Sequence, residues 1–177
     1  MELLTVGHGT LAADAFAGLV TAAGVGRVVD VRSYPGSRRH PHFGREAMAA
    51  WLPAAGVAYD WAPALGGRRK PVPGSPHVAL RHEAFRAYAD HMATEEFVAG
   101  LDRLVAEVAA GPRTAVMCSE SVWWRCHRRL LADAAVALRG VEVRHLFHDG
   151  RLADHALTDG ARVDGDRLVY DGGRLFA

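Results

Sequence analysis

The residue types best suited to chemistry concentrate in one short stretch, 118–128. That stretch holds two thiols, a carboxylate, an imidazole and two guanidiniums: Cys118, Glu120, Arg125, Cys126, His127 and Arg128. The preceding apolar run, 113–118, is too short for a helix and predicts a buried strand, whereas apolar residues at helical spacing from Trp124 onward predict a helix. Open α/β sheets bind ligands at such strand ends, and the amides of a helix start favour anions. The stretch is therefore the candidate site.

Two other predicted strands end in polar residues. His8 lies between two glycines after the strand 3–6, where a role in the ligand crevice and a role as a turn residue both stay open. Asp30 lies inside the apolar strand 27–32, which ends at Arg32. Because an unpaired buried charge is costly, an Asp30–arginine pair that braces the loop is favoured. The alternative is that Asp30 acts as a base or orients His8.

Two loops that contain prolines follow predicted strands and carry arginines. The first loop, 33–43, contains Tyr34, Arg38 and Phe43. We expect it to contact the ligand, because a guanidinium matches the geometry of phosphate and an aromatic ring can stack on a base. The second loop, 62–82, has four prolines and a Gly-Gly-Arg-Arg-Lys core that includes Arg68. Loops of this length are usually lids, binding loops or disordered, and we interpret this one as a lid that grips an anion.

Strands and helices alternate along the chain. Further strands are predicted over 57–61 and 141–146, and helices after Thr10 and over 45–55, 83–92 and 94–110. This alternation predicts a single three-layer α/β domain over 1–177, Rossmann-like, with a mostly parallel sheet and helices on both faces. The loops after the strands then converge at one edge of the sheet. An Asp-Gly pair at 164–165 predicts a β-hairpin in the tail, about 160–176.

The charge of the chain is concentrated rather than large. The net charge is +1, yet 12 of the 21 lysines and arginines lie in the segments 32–45, 68–82 and 113–129. Such patches suit a phosphate-bearing ligand, possibly nucleic acid, although a solvated basic face is equally compatible with any one of them. Two cysteines without a Cys-x-x-Cys pair argue against a disulfide scaffold. With no signal-peptide pattern and no long apolar run, we expect a cytoplasmic protein that does not enter a membrane.

Five motifs occur together in chain order. They are Val6-Gly-His-Gly-Thr10, Val29-Asp-Val-Arg-Ser33 with Ser37-Arg38, Leu65-Gly-Gly-Arg68, Tyr88-Ala-x-x-Met92, and Met117-Cys-x-Glu120 with Cys126-His-Arg128. In combination, over about residues 3–148, they resemble the bacterial family DUF488. Gly9 stands where that family usually has serine, and Trp123 where it commonly has proline. The function of the family is unassigned, so the resemblance supports the set of motifs without implying a mechanism.

The first functional hypothesis is an enzyme that hydrolyses an N-glycosidic or related bond in a phosphate-bearing base, nucleotide or nucleic acid. Glu120 or Asp30 would activate water or stabilise an oxocarbenium-like centre, and His8 or His127 would transfer a proton. Four guanidiniums would hold phosphate, those of Arg32, Arg38, Arg68 and Arg128. One of three aromatic rings would stack a base, that of Tyr34, Phe43 or Trp123.

Three alternatives stay open. Cys118 and Cys126 could form a nucleophile or a redox pair. A small buried side chain is, however, the commoner role for a cysteine such as Cys118. The cysteine–five residues–arginine spacing of phosphatases is absent, because Trp124 stands where the arginine would be. A metal site is disfavoured, because the spacing matches no standard zinc pattern and neighbours on a helix point apart. We therefore expect no metal and no cofactor. A non-catalytic nucleotide or nucleic-acid binding module is the third alternative. The sequence gives no indication of the oligomeric state.

Overall fold

The computed structural model describes residues 1–36 and 38–173, and it contains a six-stranded sheet beside a small hairpin. The strands of the large sheet are β1 (Glu2–Gly7), β2 (Arg27–Asp30), β3 (Ala58–Trp61), β4 (Thr114–Cys118), β5 (Glu142–Leu146) and β6 (Leu152–Asp154). Their order is β3-β2-β4-β1-β5-β6, and every pair is parallel except β5–β6. The hairpin pairs β7 (Ala161–Asp164) with β8 (Arg167–Tyr170). Ser37, part of one quoted motif, and residues 174–176 of the predicted tail lie outside the described residues.

Helices cover both faces of the sheet. They are α1 (Ala13–Ala22), α2 (Arg45–Ala54), α3 (Glu83–Met92), α4 (Glu95–Ala110) and α5 (Arg128–Arg139). Because side chains alternate along a strand, Leu4 and Val28 pack with the residues of α1 and α2, whereas Leu3 and Val29 pack with those of α3, α4 and α5. The sheet therefore separates two apolar cores, which confirms the predicted three-layer α/β architecture.

Two central strands, β1 and β4, send the chain to opposite faces of the sheet. The chain leaves β1 through α1, which packs on one core, and leaves β4 through α5, which packs on the other. Neighbouring parallel strands whose connections diverge leave a crevice at their carboxyl ends. Beyond β1 and β4 the two loops stay joined, because the backbone amide of His8 donates to the Cys118 carbonyl at 2.9 Å and that of Gly9 to the Ser119 carbonyl at 2.9 Å.

Three local features differ from the sequence predictions. The helix predicted after Thr10 begins only at Ala13, with Ala12 as its N-cap, because the turn at Gly9 delays it by two residues. The helix predicted from Trp124 begins only at Arg128, because residues 123–125 form a separate 3-10 turn. The short antiparallel strand β6 was not predicted. None of the helices in residues 1–36 and 38–173 combines the length and the apolarity that crossing a membrane requires.

A buried polar network ties the end of the chain to the sheet. Asp133, on α5, accepts hydrogen bonds from the hydroxyl of Tyr170 at 2.9 Å and from the ring of His155 at 2.8 Å. The other nitrogen of His155 bonds His145 at 3.0 Å, and His145 bonds the hydroxyl of Thr5 at 2.7 Å. Burial, helped by nearby positive groups, lowers the pKa of His145 from 6.5 to about 3. This histidine is therefore neutral when the protein is folded.

We expect this neutral histidine to make folding sensitive to acid. Below about pH 6.5 the unfolded chain gains a proton at His145 that the folded chain does not, so stability that is complete above this pH is lost as the pH falls toward 3. At pH 5 the loss from this one group is about 2 kcal/mol. Urea unfolding measures the free energy of unfolding at pH 7.5 and at pH 5. The decrease between these two pH values should be smaller by about this amount in His145→Gln than in the wild type. The exposed His82→Asn should keep the wild-type fall, and an equal fall in all three proteins would contradict the assignment.

Candidate functional site

A pocket of about 360 Å³ opens at the carboxyl ends of β2 and β4. Its walls come from the loop after β2, the loop 62–82, the start of α3 and the turn between β4 and α5. Seven residues that the sequence nominated line this pocket: Arg32, Tyr34, Arg68, Cys118, Glu120, Cys126 and His127. Parallel strands that end at one edge, followed by loops of matching length, thus assemble these groups from four separate parts of the chain.

Two cysteines and a histidine meet at the floor of this pocket. Cys118 is the last residue of β4, and Cys126 closes the 3-10 turn just before α5. The Nδ1 atom of His127 lies 3.9 Å from the Cys118 sulfur and 3.6 Å from the Cys126 sulfur. The Nε2 atom lies 3.1 Å from the carbonyl oxygen of Val31. Since a carbonyl only accepts, Nε2 carries the hydrogen, and Nδ1 presents a lone pair to both sulfurs.

The two thiols differ in acidity because burial and the neighbouring groups affect each of them differently. Burial opposes ionisation of Cys126, but a hydrogen bond from Cys118 and the charge of Arg128 outweigh it and lower the pKa of Cys126 to about 6. The hydrogen bond to Cys126, reinforced by burial, raises the pKa of Cys118 to about 12. Negative charge in this pair therefore resides on Cys126.

Arg128 supports this pair from below rather than contacting a ligand. Its side chain is 1% exposed, and it lies outside the pocket. Its Nε donates to the Cys126 sulfur at 3.4 Å, and its Nη2 donates to the carbonyl oxygen of Glu120. The structure gives the predicted phosphate contact of Arg128 no support, because the guanidinium is buried and its donors hold the turn 120–126 in shape.

A second buried cluster contains three more of the nominated residues. Asp30 is fully buried and accepts two hydrogen bonds from the Arg32 side chain, at 2.8 and 2.6 Å, and one from the hydroxyl of Tyr59 at 2.8 Å. Arg32 also donates to the carbonyl oxygen of Phe43 at 2.7 Å and to Nε2 of His8 at 3.2 Å. The favoured sequence interpretation, a pair that braces the loop, describes this arrangement.

His8 and Phe43 cannot reach a ligand in this structure. The two rings stack at a centroid distance of 4.0 Å, and both residues are buried. Burial and the charge of Arg32 lower the pKa of His8 to about 4, which keeps the ring neutral. Proton transfer by His8, base stacking by Phe43 and catalysis by Asp30 stay predictions, and the burial of these three residues gives them no support.

Two nominated residues lie elsewhere on the surface. Arg38 is exposed and lies outside the pocket. Trp123 covers the buried His145, with parallel rings at a centroid distance of 4.0 Å, so one face of the indole is occupied and the ring does not line the pocket. Of the three aromatic residues proposed to stack a base, only Tyr34 is at the pocket, where it is 74% exposed.

Sequence reasoning missed several residues that shape the pocket. Phe85 and Tyr88 on α3 belong to the apolar core and also line the pocket, and the Tyr88 hydroxyl donates to the Leu65 carbonyl at 2.9 Å. Arg125 was noted near the turn without a role, yet it is exposed at the pocket. Helical spacing hid the two aromatic residues, because a ring that is packed against a core can still turn its edge toward a cavity.

A metal ion has one set of potential ligands among the described residues. The donor atoms of Cys118, Cys126 and His127 lie within 4.8 Å of one another. The sequence argument against this site was wrong in its premise. Cys126 has extended backbone angles, φ −120° and ψ 152°, and α5 begins only at Arg128, so Cys126 and His127 are not successive residues of a helix. Their donor atoms therefore face the same point.

The Asp30–Arg32 pair should matter for stability more than for chemistry. Asp30→Asn leaves a buried guanidinium without its carboxylate, which should lower the free energy of unfolding by about 3 kcal/mol. The exposed Glu120→Gln should change it by less than about 0.5 kcal/mol. Urea unfolding at pH 7 measures both. An Asp30→Asn variant as stable as the wild type would show that Asp30 does not brace the loop.

Comparisons with known proteins identify the family. The model of a family described as a domain of unknown function, DUF488, matches residues 12–135. No curated protein and no solved structure matches the chain. The matched segment runs from the start of α1 into α5, so it includes β4 and every residue of the thiol–imidazole cluster. The chain therefore belongs to the DUF488 family.

Proposed function

We propose that this protein is a hydrolytic enzyme whose pocket binds a phosphate-bearing ligand with a planar base, such as a nucleotide. The proposal rests on one observation. Guanidiniums and a carboxylate that have no partner among the described residues line the same pocket. Arg68, Arg125 and Glu120 are exposed there, and their side chains form no hydrogen bond or ion pair with the described residues. Charged groups that the fold leaves unused at a concave site are available to a ligand.

Arg68 has a second feature that favours a functional role. Its backbone φ is +60°, and it is the one non-glycine residue with positive φ among residues 1–36 and 38–173. A side chain in the left-handed region costs about 1 kcal/mol relative to glycine. Glycine would fit this turn more easily, and it already occupies the two preceding positions, 66 and 67. The retention of arginine therefore favours a role for the guanidinium outside the folding of the loop.

Glu120 is the carboxylate that the structure leaves for catalysis. Asp30 is committed to Arg32 and Tyr59, whereas Glu120 lines the pocket and is solvent-accessible. In the proposed reaction Glu120 accepts a proton from water, the oxygen bonds to the ligand carbon, and the departing base takes the bonding pair and a proton. The sum is addition of one water across the broken bond. The N-glycosidic bond predicted from the sequence remains the first to test.

A second candidate is thiol chemistry at Cys126. It is favoured by the contact of the Cys126 sulfur with Nε of Arg128 and by the proximity of Cys118 at the pocket floor. A thiolate here would attack an electrophilic centre of the ligand and displace a leaving group with its bonding pair, and water would then cleave the covalent adduct and restore the thiol. The predicted cytoplasmic location belongs to the proposal, since a reducing compartment keeps two adjacent thiols free.

Ligand binding should depend on the pocket arginines alone. We expect a nucleoside monophosphate to bind at low salt more tightly than inorganic phosphate or the matching nucleoside. Arg68→Gly should weaken binding by about tenfold, the loss of one charged hydrogen bond, while the free energy of unfolding stays equal or rises because the strained φ is relieved. Titration calorimetry and urea unfolding measure the two effects. Arg38→Met removes an equally exposed arginine outside the pocket and should change neither.

Hydrolysis should depend on Glu120. Incubation of the protein with nucleotides and with single- and double-stranded oligonucleotides, followed by mass spectrometry, detects a released base. Glu120→Gln should lower kcat by at least about a hundredfold with little change in KM, because a proton acceptor is lost and not a binding group. Cys126→Ser separates the two candidates, since full inactivation there with full activity in Glu120→Gln would favour the thiol. Absence of product from every substrate would refute the hydrolase.

A further inference from the structure

We propose that Cys118, Cys126 and His127 form a zinc site at the floor of the pocket. The site would be the cofactor site of the proposed hydrolase, and its catalytic role, though not its metal binding, rests on that proposed function. Cysteine and histidine are the preferred ligands of zinc, and catalytic zinc sites use three protein ligands with the fourth position left open. Here all three residues line the pocket, which leaves that position toward the ligand.

The distances between the donor atoms fit one tetrahedral ion. Zinc–sulfur bonds of about 2.3 Å and zinc–nitrogen bonds of about 2.0 Å, at tetrahedral angles, place sulfur and nitrogen about 3.5 Å apart and two sulfurs about 3.8 Å apart. The observed separations of Nδ1 of His127 from the two sulfurs are 3.6 and 3.9 Å, and no pair of donors exceeds 4.8 Å. Side-chain adjustments of at most about 1 Å between the two sulfurs, and of a few tenths of an ångström between nitrogen and sulfur, would therefore complete three corners of the site.

The histidine is oriented as a ligand. Its Nε2–H donates to the carbonyl of Val31, at the end of β2, so the ring cannot rotate without losing this bond and Nδ1 is fixed as the nitrogen with a lone pair. Metal-bound histidines usually have such an outer partner on the other nitrogen, because it sets both tautomer and angle. The hydrogen bond from Nε of Arg128 to the Cys126 sulfur gives the second ligand a similar outer partner.

The backbone of the 62–82 loop leaves space where an ion and its ligands need it. A Cβ atom on Gly67 would lie 2.8 Å from Nδ1 of His127. The same Cβ would lie 3.1 Å from Cγ and 3.4 Å from Cε1, so any larger residue would press on the face of the imidazole ring and displace it from the two sulfurs. Two thiolates also offset the charge of a divalent ion, so binding would add no net charge to this enclosed floor. Soft sulfur ligands favour zinc over magnesium or calcium, which prefer oxygen.

The test is metal binding by the full-length protein, read without substrate. Protein stripped of metal with a chelator under reducing conditions is titrated with Co²⁺, a spectroscopic substitute for zinc. We expect one ion per chain, with thiolate-to-cobalt charge-transfer absorption and the intense visible bands of a tetrahedral site, and displacement of both by Zn²⁺. Weak octahedral bands without thiolate absorption, or no binding at all, would overturn the proposal.

Variants locate the ion. Cys118→Ser and Cys126→Ser should each weaken zinc affinity by more than about a hundredfold, beyond the loss typical for an outer-shell partner. Gly67→Ala should weaken it with all three ligands present, whereas His82→Asn, at an exposed histidine of the adjacent surface, should leave it unchanged. Equal affinity in the cysteine variants would refute the site. Zinc binding without hydrolysis of any substrate would refute the proposed function and leave the zinc site standing.

Discussion

The geometry of this edge of the sheet depends on one buried ion pair. Arg32 binds Asp30 through two hydrogen bonds, and its remaining donors reach the carbonyl of Phe43 and the ring of His8. A guanidinium with 7% exposure thereby connects the loop after β1, the end of β2 and the turn before α2. Because the pair is removed from water, its charges are weakly screened and each must stay with its partner. The loops that form the pocket rest on this fixed junction.

The nominated residues at this edge divide into two groups with different surroundings. In the first group, His8, Asp30 and Phe43 each bond Arg32 and are buried. On the side of α5, Cys118 and His127 face a cavity and have donor atoms with capacity to spare. The divergence of the chain at β1 and β4 separates the two groups, since each strand delivers its loop to a different face. The residues that brace the loops and the residues that line the cavity thus lie on opposite sides of one strand end.

The sequence was informative about the fold because hydrophobic periodicity records burial directly. The runs at 3–6 and 113–118 predicted central strands, and Asp-Gly at 164–165 predicted the hairpin that the structure contains. The strand β6 has only three residues, Leu152–Asp154, which is too short to show a periodic pattern, and it pairs with the edge of β5. A strand of that kind depends on its neighbour, and its own residues carry little signal.

The site was harder to predict, because a residue's type shows which bonds it can form but not which partners it has in the folded protein. Arginine can bind phosphate anywhere, yet Arg128 donates inward while Arg125, three residues earlier, faces the pocket. The difference arises from a 3-10 turn that ends at Arg125 and shifts the helix start to Arg128. The same turn brings Cys126 and His127 to face one point, which regular helical geometry would forbid. A local irregularity of three residues therefore decides which side chains are available to a ligand.

The buried Asp133 connects the small C-terminal hairpin to the core of the protein. This aspartate belongs to the segment that matches the family, but its hydrogen-bond donors, His155, Thr158 and Tyr170, all follow residue 135. A chain cut at the end of the family match would lose all three of these donors. The residues after the match therefore complete the hydrogen bonding of a buried carboxylate that lies within it.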